Sequence, residues 1–408
     1  MADLYGFQKK SVAKLLSGKH IIVATCGAGK TAITLKWAEQ VMAQTHKHKL
    51  LVITTASKSH TTDWQDEAKV FTNMHPSEFD VVSWHMAKKW CMDKTPDDMA
   101  EYVIIFDELQ RAKQGVSSLM GTAFLMLTKY CDTWVGATGT PGDNWIDFHP
   151  YFVATGKVKN KTHFQRDFCH MQHYPYPMIL AYKNQEQLRE WWGDISYTPD
   201  TSEVMSQLPS ETHKVITLPA PKGYKKVLRT STTLDGEFLD SNIALLHELR
   251  QMCATNDKAE TLSELLESLS SPLVVFYNYT CEREQILGVA KKLKRKVWRI
   301  DGERHEIPTS ETIGENDIVL CHYLSGSEAL NLQFCNYWLS YSYNYSYSTT
   351  LQAKGRIRRI GQNKPQFYYW LRCKDTVEMD IAKVLHNKRD FAENEWSRDE
   401  HISGLGGK

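Results

Sequence analysis

The strand-like run H-I-I-V, His20 to Val23, gives way to A-T-C-G-A-G-K-T, Ala24 to Thr31, and then to an amphipathic stretch from Lys30 to Ala43. Apart from Ala24 in place of a first glycine, the loop matches G-x-x-x-x-G-K-[S/T]. Gly27 and Gly29 let backbone N–H groups turn inward, and a helix starting near Lys30 adds the positive end of its dipole, so the segment suits phosphate oxygens. Such a loop needs a buried strand before it, a helix after it and a parallel sheet around both. Gly27, Ala28, Gly29, Lys30 and Thr31 are therefore candidate nucleotide contacts. Lys30 is expected at the β- and γ-phosphates, with the Thr31 hydroxyl offered to Mg²⁺.

The same β-then-α rhythm continues through K-L-L-V-I-T-T after the loop. It returns late in the chain as L-V-V-F-Y, a helical stretch from Thr280 to Arg295, V-W-R-I, D-I-V-L-C-H, a helix expected to end near Arg359, and Q-F-Y-Y-W-L. Two α/β domains with parallel sheets account for this most simply. We expect a first domain over 1–146 and a second over 211–393. Between them, 147–210 is rich in aromatics, His and Pro and lacks strong strand runs, so a helical accessory segment and linker is expected. Residues 394–408 are expected to form a flexible tail.

Charge neither requires nor excludes a polyanionic partner: 49 Lys+Arg against 48 Asp+Glu leave +1, so any such surface must concentrate its basic groups locally. No apolar run approaches the roughly 18 residues of a membrane span. The start M-A-D-L-Y-G-F-Q-K-K has no secretory pattern, so a cytoplasmic location is expected, the host cytoplasm if the source is viral. Nine cysteines without a C-x-x-C pair fit reduced thiols. His163, Cys169, His170 and His173 match no standard zinc spacing and are expected to be ordinary packing or surface residues.

A nucleotide hydrolase also needs acidic groups at the end of a second buried strand, and Y-V-I-I-F-D-E-L-Q supplies them. Asp107 can hold magnesium, and Glu108 can orient and deprotonate an attacking water. By itself the dipeptide could equally cap a helix.

D-E-L-Q-R-A-K (Asp107 to Lys113), A-T-G-T-P (Ala137 to Pro141) and L-Q-A-K-G-R-I-R-R-I-G-Q (Leu351 to Gln362) resemble motifs II, III and VI of helicase superfamily two. The R-I-G-Q ending is similar to its Swi/Snf-like DNA translocase branch. F-Q at Gln8, W-Q-D-E from Trp64, A-L-N-L-Q at Ala329 to Gln333 and D-T-V-E at Asp375 to Glu378 follow in family order, from about Leu4 to Lys388. Two departures fall in motif V: Glu328 stands where glycine is usual, and Y-S-Y-N-Y-S replaces an aspartate and W-N-P segment. The compact length looks most like a phage-type member.

The resemblance implies two RecA-like domains in tandem, the P-loop NTPase core of these helicases, and an ATP-dependent DNA translocase. Gln8 and Gln352 join the nucleotide contacts, with Gln8 at the adenine edge. Arg356 and Arg359, expected three apart on one helix face, supply charge to the reacting phosphate. Thr55, Lys58, Thr138, Thr140, Asn278, Ser325 and Gly326 are the implied DNA contacts, largely independent of sequence. The partners implied are duplex, forked or junction DNA and replication or recombination proteins, with a monomer sufficient and no membrane. Two alternatives stand beside this: an unwinding or branch-migrating helicase, and a DNA-binding regulator that uses nucleotide as a switch.

Overall fold

The computed structural model describes residues 2–395 except 26, 46, 173, 175, 176, 203–207, 327–329 and 360–361, and the side chains of 57, 76 and 389–395 also fall outside the description. Glu328, Gly361, His173 and nearly all of the expected tail therefore lie outside the described residues. The chain divides into two compact units, one built on residues 1–203 and the other on 204–389.

In the first unit, β1 (Ile21–Val23), β2 (Lys49–Thr54), β3 (Phe79–Ser83), β4 (Tyr102–Asp107), β5 (Trp134–Thr138) and β8 (Ser196–Tyr197) form a six-stranded sheet of order β3-β2-β4-β5-β1-β8. All its pairings are parallel. β4 is buried along its whole length, which explains why its sequence shows a continuous apolar run and no alternation. Phe106, Phe124 and Trp134 form an edge-to-face cluster beneath it, with the two phenyl centroids 5.0 Å apart.

The segment from 147 belongs to this unit through residue 203. Its helices Lys161–Phe168 and Gln185–Ile195 pack Phe164, Phe168 and Trp192 inward. Beside these helices it carries strands: the antiparallel hairpin β6 (Cys169–Gln172) and β7 (Met178–Tyr182), and β8, which extends the sheet beside β1. Mixed exposure along β7 and a bulge between His170 and Met171 remove the period of two that would have announced the hairpin.

The second unit repeats the architecture with β9 (Glu211–Leu218), β10 (Leu273–Tyr277), β11 (Val297–Ile300), β12 (Ile318–His322), β13 (Tyr337–Ser340) and β14 (Gln366–Cys373). They form a second parallel six-stranded sheet of order β11-β12-β10-β13-β14-β9. Leu262, Leu266 and Ile286 from the helices Asn256–Ser268 and Thr280–Lys292 pack on Leu273, Val275, Ile318 and Leu320.

The Tyr/Ser run leaves β13 as an ordered structural segment. Tyr341 is fully buried, the Tyr343 carbonyl accepts from Arg250 Nη2 at 2.7 Å, and the Ser346 side chain caps the helix Tyr347–Lys354. The Arg250 guanidinium lies 4.9 and 4.6 Å from the rings of Tyr279 and Tyr345.

Beneath this segment lies a buried ion pair. Lys258 Nζ donates to Glu378 Oε1 at 2.6 Å and to the Tyr341 carbonyl at 2.8 Å, and Glu378 Oε2 accepts from Cys373 N at 2.7 Å. Burial pulls the lysine pKa down, but the Glu378 and Glu282 carboxylates outweigh it and hold it above the ordinary value. Lys258→Ala strands the Glu378 carboxylate, so we expect a loss of about 3–5 kcal/mol in urea unfolding. The double variant Lys258→Met/Glu378→Leu should recover most of it, and no recovery would show that shape rather than charge pairing is what matters there.

Candidate functional site

The ends of β1, β4 and β5 meet at the carboxyl edge of the first sheet, where ligands of open parallel α/β sheets bind. Ala24 N donates to the Thr138 carbonyl at 2.9 Å, which sets the 24–31 loop against the strand end that continues into A-T-G-T-P. Gly27 and Gly29 have φ of +84° and +75°, a conformation that suits glycine, and the helix Lys30–Thr45 begins directly after them. A Cβ at Gly29 would run into Gln8 Nε2. The fit is this close because Gln8, buried in the helix Gly6–Leu16, donates from Nε2 to the Ala28 carbonyl at 3.1 Å and accepts from Tyr5 N at 3.0 Å. Gln8 thus braces the loop directly. Lys30 Nζ rests on the carbonyls of Ala24 and Thr25 at 2.9 and 3.2 Å.

Asp107 is 3% exposed. Its Oδ2 accepts from Thr54 Oγ1 at 2.8 Å and from Lys58 Nζ at 3.0 Å. Burial pushes the carboxyl up, but Lys58, Thr54 and the charge of Lys30 outweigh it and hold the group below its ordinary pKa of 3.8. Reciprocally, Asp107 first and Glu108 after it keep the Lys58 ammonium charged.

Glu108 follows in the left-handed region at φ +52°, ψ +52°. For a residue with a side chain this is strained backbone, tolerated here because its neighbours fix it. Glu108 Oε2 accepts from Gln110 Nε2 at 2.6 Å, Gln110 Oε1 accepts from Thr138 Oγ1 at 2.6 Å, and Thr138 Oγ1 accepts from Thr140 N at 3.0 Å. A continuous polar relay therefore runs from the acid after β4 to the loop after β5.

Most of the expected DNA contacts are engaged within the fold. Thr55, Thr138 and Thr140 are buried, and the Thr138 hydroxyl serves the relay. Lys58 turns to Asp107 because a buried carboxylate attracts the nearest ammonium more strongly than solvent does. In the second unit, Asn278 Nδ2 is committed to Ser342 Oγ at 2.8 Å and the Tyr343 carbonyl at 3.2 Å, while its Oδ1 accepts from Asn344 Nδ2 at 2.9 Å. Gly326 is a packing glycine: a Cβ there would lie 2.6 Å from Cys321 Cβ. Ser325, beside it in the helix Tyr323–Gly326, is partly exposed.

Arg356 and Arg359 do not share a helix face. The helix Tyr347–Lys354 stops at Gly355, where the Arg356 carbonyl is taken by Leu332 N at 3.1 Å, which draws the chain out of the helical ladder. Arg356 is buried and donates from Nη1 to the Leu330 carbonyl at 3.3 Å, whereas the partly exposed Arg359 bonds Asn331 Oδ1 and the Gly355 carbonyl. Gln352 sits partly exposed on the same helix.

Thr54, Gln110, Ser342 and Gln362 are working residues that sequence reasoning passes over. Gln110 and Gln362 stand inside the quoted motifs, but nothing local shows that the first bonds Glu108 while the second braces the Cys335 and Ile357 carbonyls. Among the described residues, one group of side chains has metal-compatible proximity, Cys253, Cys373 and Glu378, and the Lys258 ammonium already holds its carboxylate.

No family model matches the chain. It is 20% identical over 438 residues to an uncharacterized ATP-dependent helicase, YqhH, of Bacillus subtilis, covering 93% of this chain and 76% of that protein. It is 28% identical over 152 residues to the DNA repair protein RAD5 of Cryptococcus neoformans and 29% identical over 164 residues to the protein CHROMATIN REMODELING 20 of Arabidopsis thaliana. Those alignments cover 36% and 38% of this chain but only 12% and 11% of those proteins. A Sulfolobus solfataricus SWI2/SNF2 ATPase core solved with double-stranded DNA aligns over 98% of this chain and 94% of its own, at 17% identity and a TM-score of 0.43. The chain is similar, then, to an ATP-dependent helicase over most of its length, and over little more than a third of it to a DNA repair protein and a chromatin remodeling protein.

Because the Asp107 carboxyl is held below its ordinary value, its pairing with Lys58 stabilises the fold fully above about pH 4, and the benefit is lost as pH falls through the lowered pKa. Lys58→Ala should cost about 2 kcal/mol at pH 7. In thermal melts the gap between wild type and variant should narrow as pH falls below about 4 and through the lowered Asp107 pKa, and a gap that never narrows on acidification would exclude charge pairing as its origin.

Proposed function

We propose that the protein is an ATP-driven motor on DNA that hydrolyses ATP at the carboxyl edge of the first sheet and moves along duplex or branched DNA. The observation that carries this is the relay Glu108–Gln110–Thr138, which joins a candidate general base to the loop most directly in contact with the phosphate-binding segment. Support also comes from near full-length similarity to an ATP-dependent helicase. A regulator that merely binds nucleotide has no need of a positioned acid beside its loop. A phage-type origin and a role in replication, recombination or repair belong to the same proposal.

In this proposal the loop's backbone N–H groups and the helix Lys30–Thr45 bind the phosphates, and Lys30 exchanges the Ala24 and Thr25 carbonyls for phosphate oxygens. Glu108 accepts a proton from the attacking water as its oxygen bonds the γ-phosphorus and the bond to ADP breaks. Gln110 keeps Glu108 aimed. The ionised Asp107 carboxylate and the Thr31 hydroxyl are hard oxygen donors of the kind that hold Mg²⁺, which when bound would neutralise phosphate charge. Arg359 is the second unit's candidate for stabilising charge that develops on the phosphate.

Lys30→Ala should abolish DNA-stimulated ATP turnover. Glu108→Gln should lower kcat by about 10²-fold or more while still binding ATP. Gln110→Ala should lower kcat by about 10²-fold with KM nearly unchanged, as for a misplaced catalytic group. Arg359→Ala should lose on the order of 10³-fold in rate and much less in affinity. Steady-state ATPase assays with single-stranded, duplex and forked DNA, beside nucleotide-binding titrations, test all four. Normal turnover in Lys30→Ala would reject the site. Stimulation by single strands alone would favour the unwinding helicase over the duplex translocase.

A further inference from the structure

The first strand of the second unit, β9, stands at the edge of its sheet and alternates at its start. Thr212 and Lys214 are exposed, whereas the side chains of Glu211 and His213 turn to the other face and are mostly buried. Register fixes what they meet: Glu211 lies opposite Gln366 and His213 opposite Tyr368 on β14, and the His213 and Tyr368 rings stack with centroids 4.8 Å apart. Trp370 Nε1 donates to His213 Nδ1 at 3.2 Å, so the neutral ring carries its proton on Nε2, 3.7 Å from Glu211 Oε2. Lys354 Nζ, at the end of the helix Tyr347–Lys354, is 3.5 Å from the same ring nitrogen, and Arg358 Nη1 lies 3.3 Å from the same carboxylate oxygen. This Arg358 nitrogen is buried and has no hydrogen-bond partner among the described residues, so the carboxylate is what compensates its charge. Burial pushes the Glu211 carboxyl up, but His213, Lys354 and Arg358 outweigh it and hold it at about 2, fully ionised.

The chain from Gly355 to Arg359 has left the helix and is held from two sides. On one side Leu332 N donates to the Arg356 carbonyl at 3.1 Å, and Arg356 Nη1 donates to the Leu330 carbonyl at 3.3 Å. On the other, the Arg358–Glu211 pair ties the turn to β9. Arg359 comes next, and its Nε donates back to the Gly355 carbonyl at 3.2 Å, inside the same turn. Its placement is therefore inherited from the turn. A guanidinium that stabilises charge in a transition state must be held in place beforehand, because a small displacement of such a group lowers the rate steeply.

We propose that Glu211, which belongs to none of the motifs, is a positioning residue: its pair with Arg358 fixes the 355–359 turn and so the placement of Arg359. The catalytic consequence rests on the motor reading, whereas the anchoring of the turn does not. The rival is a carboxylate turned inward only to keep an edge strand from pairing with another chain.

The test uses the full chain and the variant Glu211→Gln, which keeps the shape and removes the charge. In hydrogen–deuterium exchange read by mass spectrometry, peptides covering 355–359 should exchange about tenfold faster, with β10 and β12 unchanged. In DNA-stimulated ATPase assays kcat should fall about tenfold while KM for ATP stays within about twofold, the mark of a displaced group that acts after binding. In an Arg359→Ala background the same substitution should lower kcat no further, since a residue acting through Arg359 has nothing left to place. An edge-protecting carboxylate would lower kcat equally in both backgrounds or in neither, and either result overturns the proposal. Arg358→Gln breaks the pair from its other side, should reproduce the exchange and the kinetics, and decides the matter if Glu211→Gln does not fold. Unchanged exchange at 355–359 would overturn the anchoring itself. A wild type without ATP turnover, together with faster exchange in the variants, sinks the motor and leaves the anchoring standing.

Discussion

The ionised carboxylate of Asp107, buried at the end of a fully buried strand, is the constraint around which the first unit is arranged. Such a charge is costly out of water unless it is paired and hydrogen-bonded. Its partners come from different elements: Thr54 from the end of β2, Lys58 from the short helix after it, and the field of Lys30 from the loop after β1. They converge only because the parallel strands end at one level, with Ile53 opposite Phe106, Phe106 opposite Gly136 and Val23 opposite Thr138. A slip of one residue in β4 would turn its alternate side chains to the other face and bury the charge without a partner. Strand register and charge compensation are in this sense a single requirement.

The next residue shows what the arrangement is for. Chain geometry that serves stability alone would leave β4 through an unstrained turn, yet Glu108 takes a left-handed conformation and is held there through Gln110 and Thr138. Strain of this kind persists only where the surroundings over-determine it, and it gathers at functional sites. One consequence is mechanical. Any shift of the 137–141 loop is transmitted through two short hydrogen bonds to the acid, which links the loop after β5 to the group proposed to activate water.

Much of this was legible in sequence. The loop, the acid pair and both parallel sheets follow from local patterns, because a buried parallel strand and a phosphate loop each leave a compact signature. What escaped has a common physical character. The hairpin β6–β7 is an exposed pair with a bulge and so has no hydrophobic period. Thr54, Lys58, Gln110 and Asn278 acquire their roles from partners two to more than sixty residues away, and sequence spacing does not record which polar group faces which. The arginine helix was placed too long because Leu330 to Leu332 captures the backbone and side chain of Arg356, a tertiary effect that overrides local helix preference.

The two sheets also treat their carboxyl edges in opposite ways. At the end of β10, Glu282 Oε2 accepts from Asn278 N, Tyr279 N and Ser342 Oγ, at 2.8, 3.1 and 2.9 Å, and Asn278 fans its amide over the Tyr/Ser run. Most polar groups there bond one another, although Glu282 Oε1 is buried without a hydrogen-bond partner, and the buried Lys258–Glu378 pair locks the segment from below. A network so extensively bonded leaves few hydrogen-bonding groups for a ligand. The first sheet ends instead in a glycine loop, with an ammonium resting on two main-chain carbonyls that phosphate oxygens can replace. Charge that is compensated but exchangeable suits the proposed nucleotide chemistry, and among the described residues the first sheet's edge carries it in Lys30.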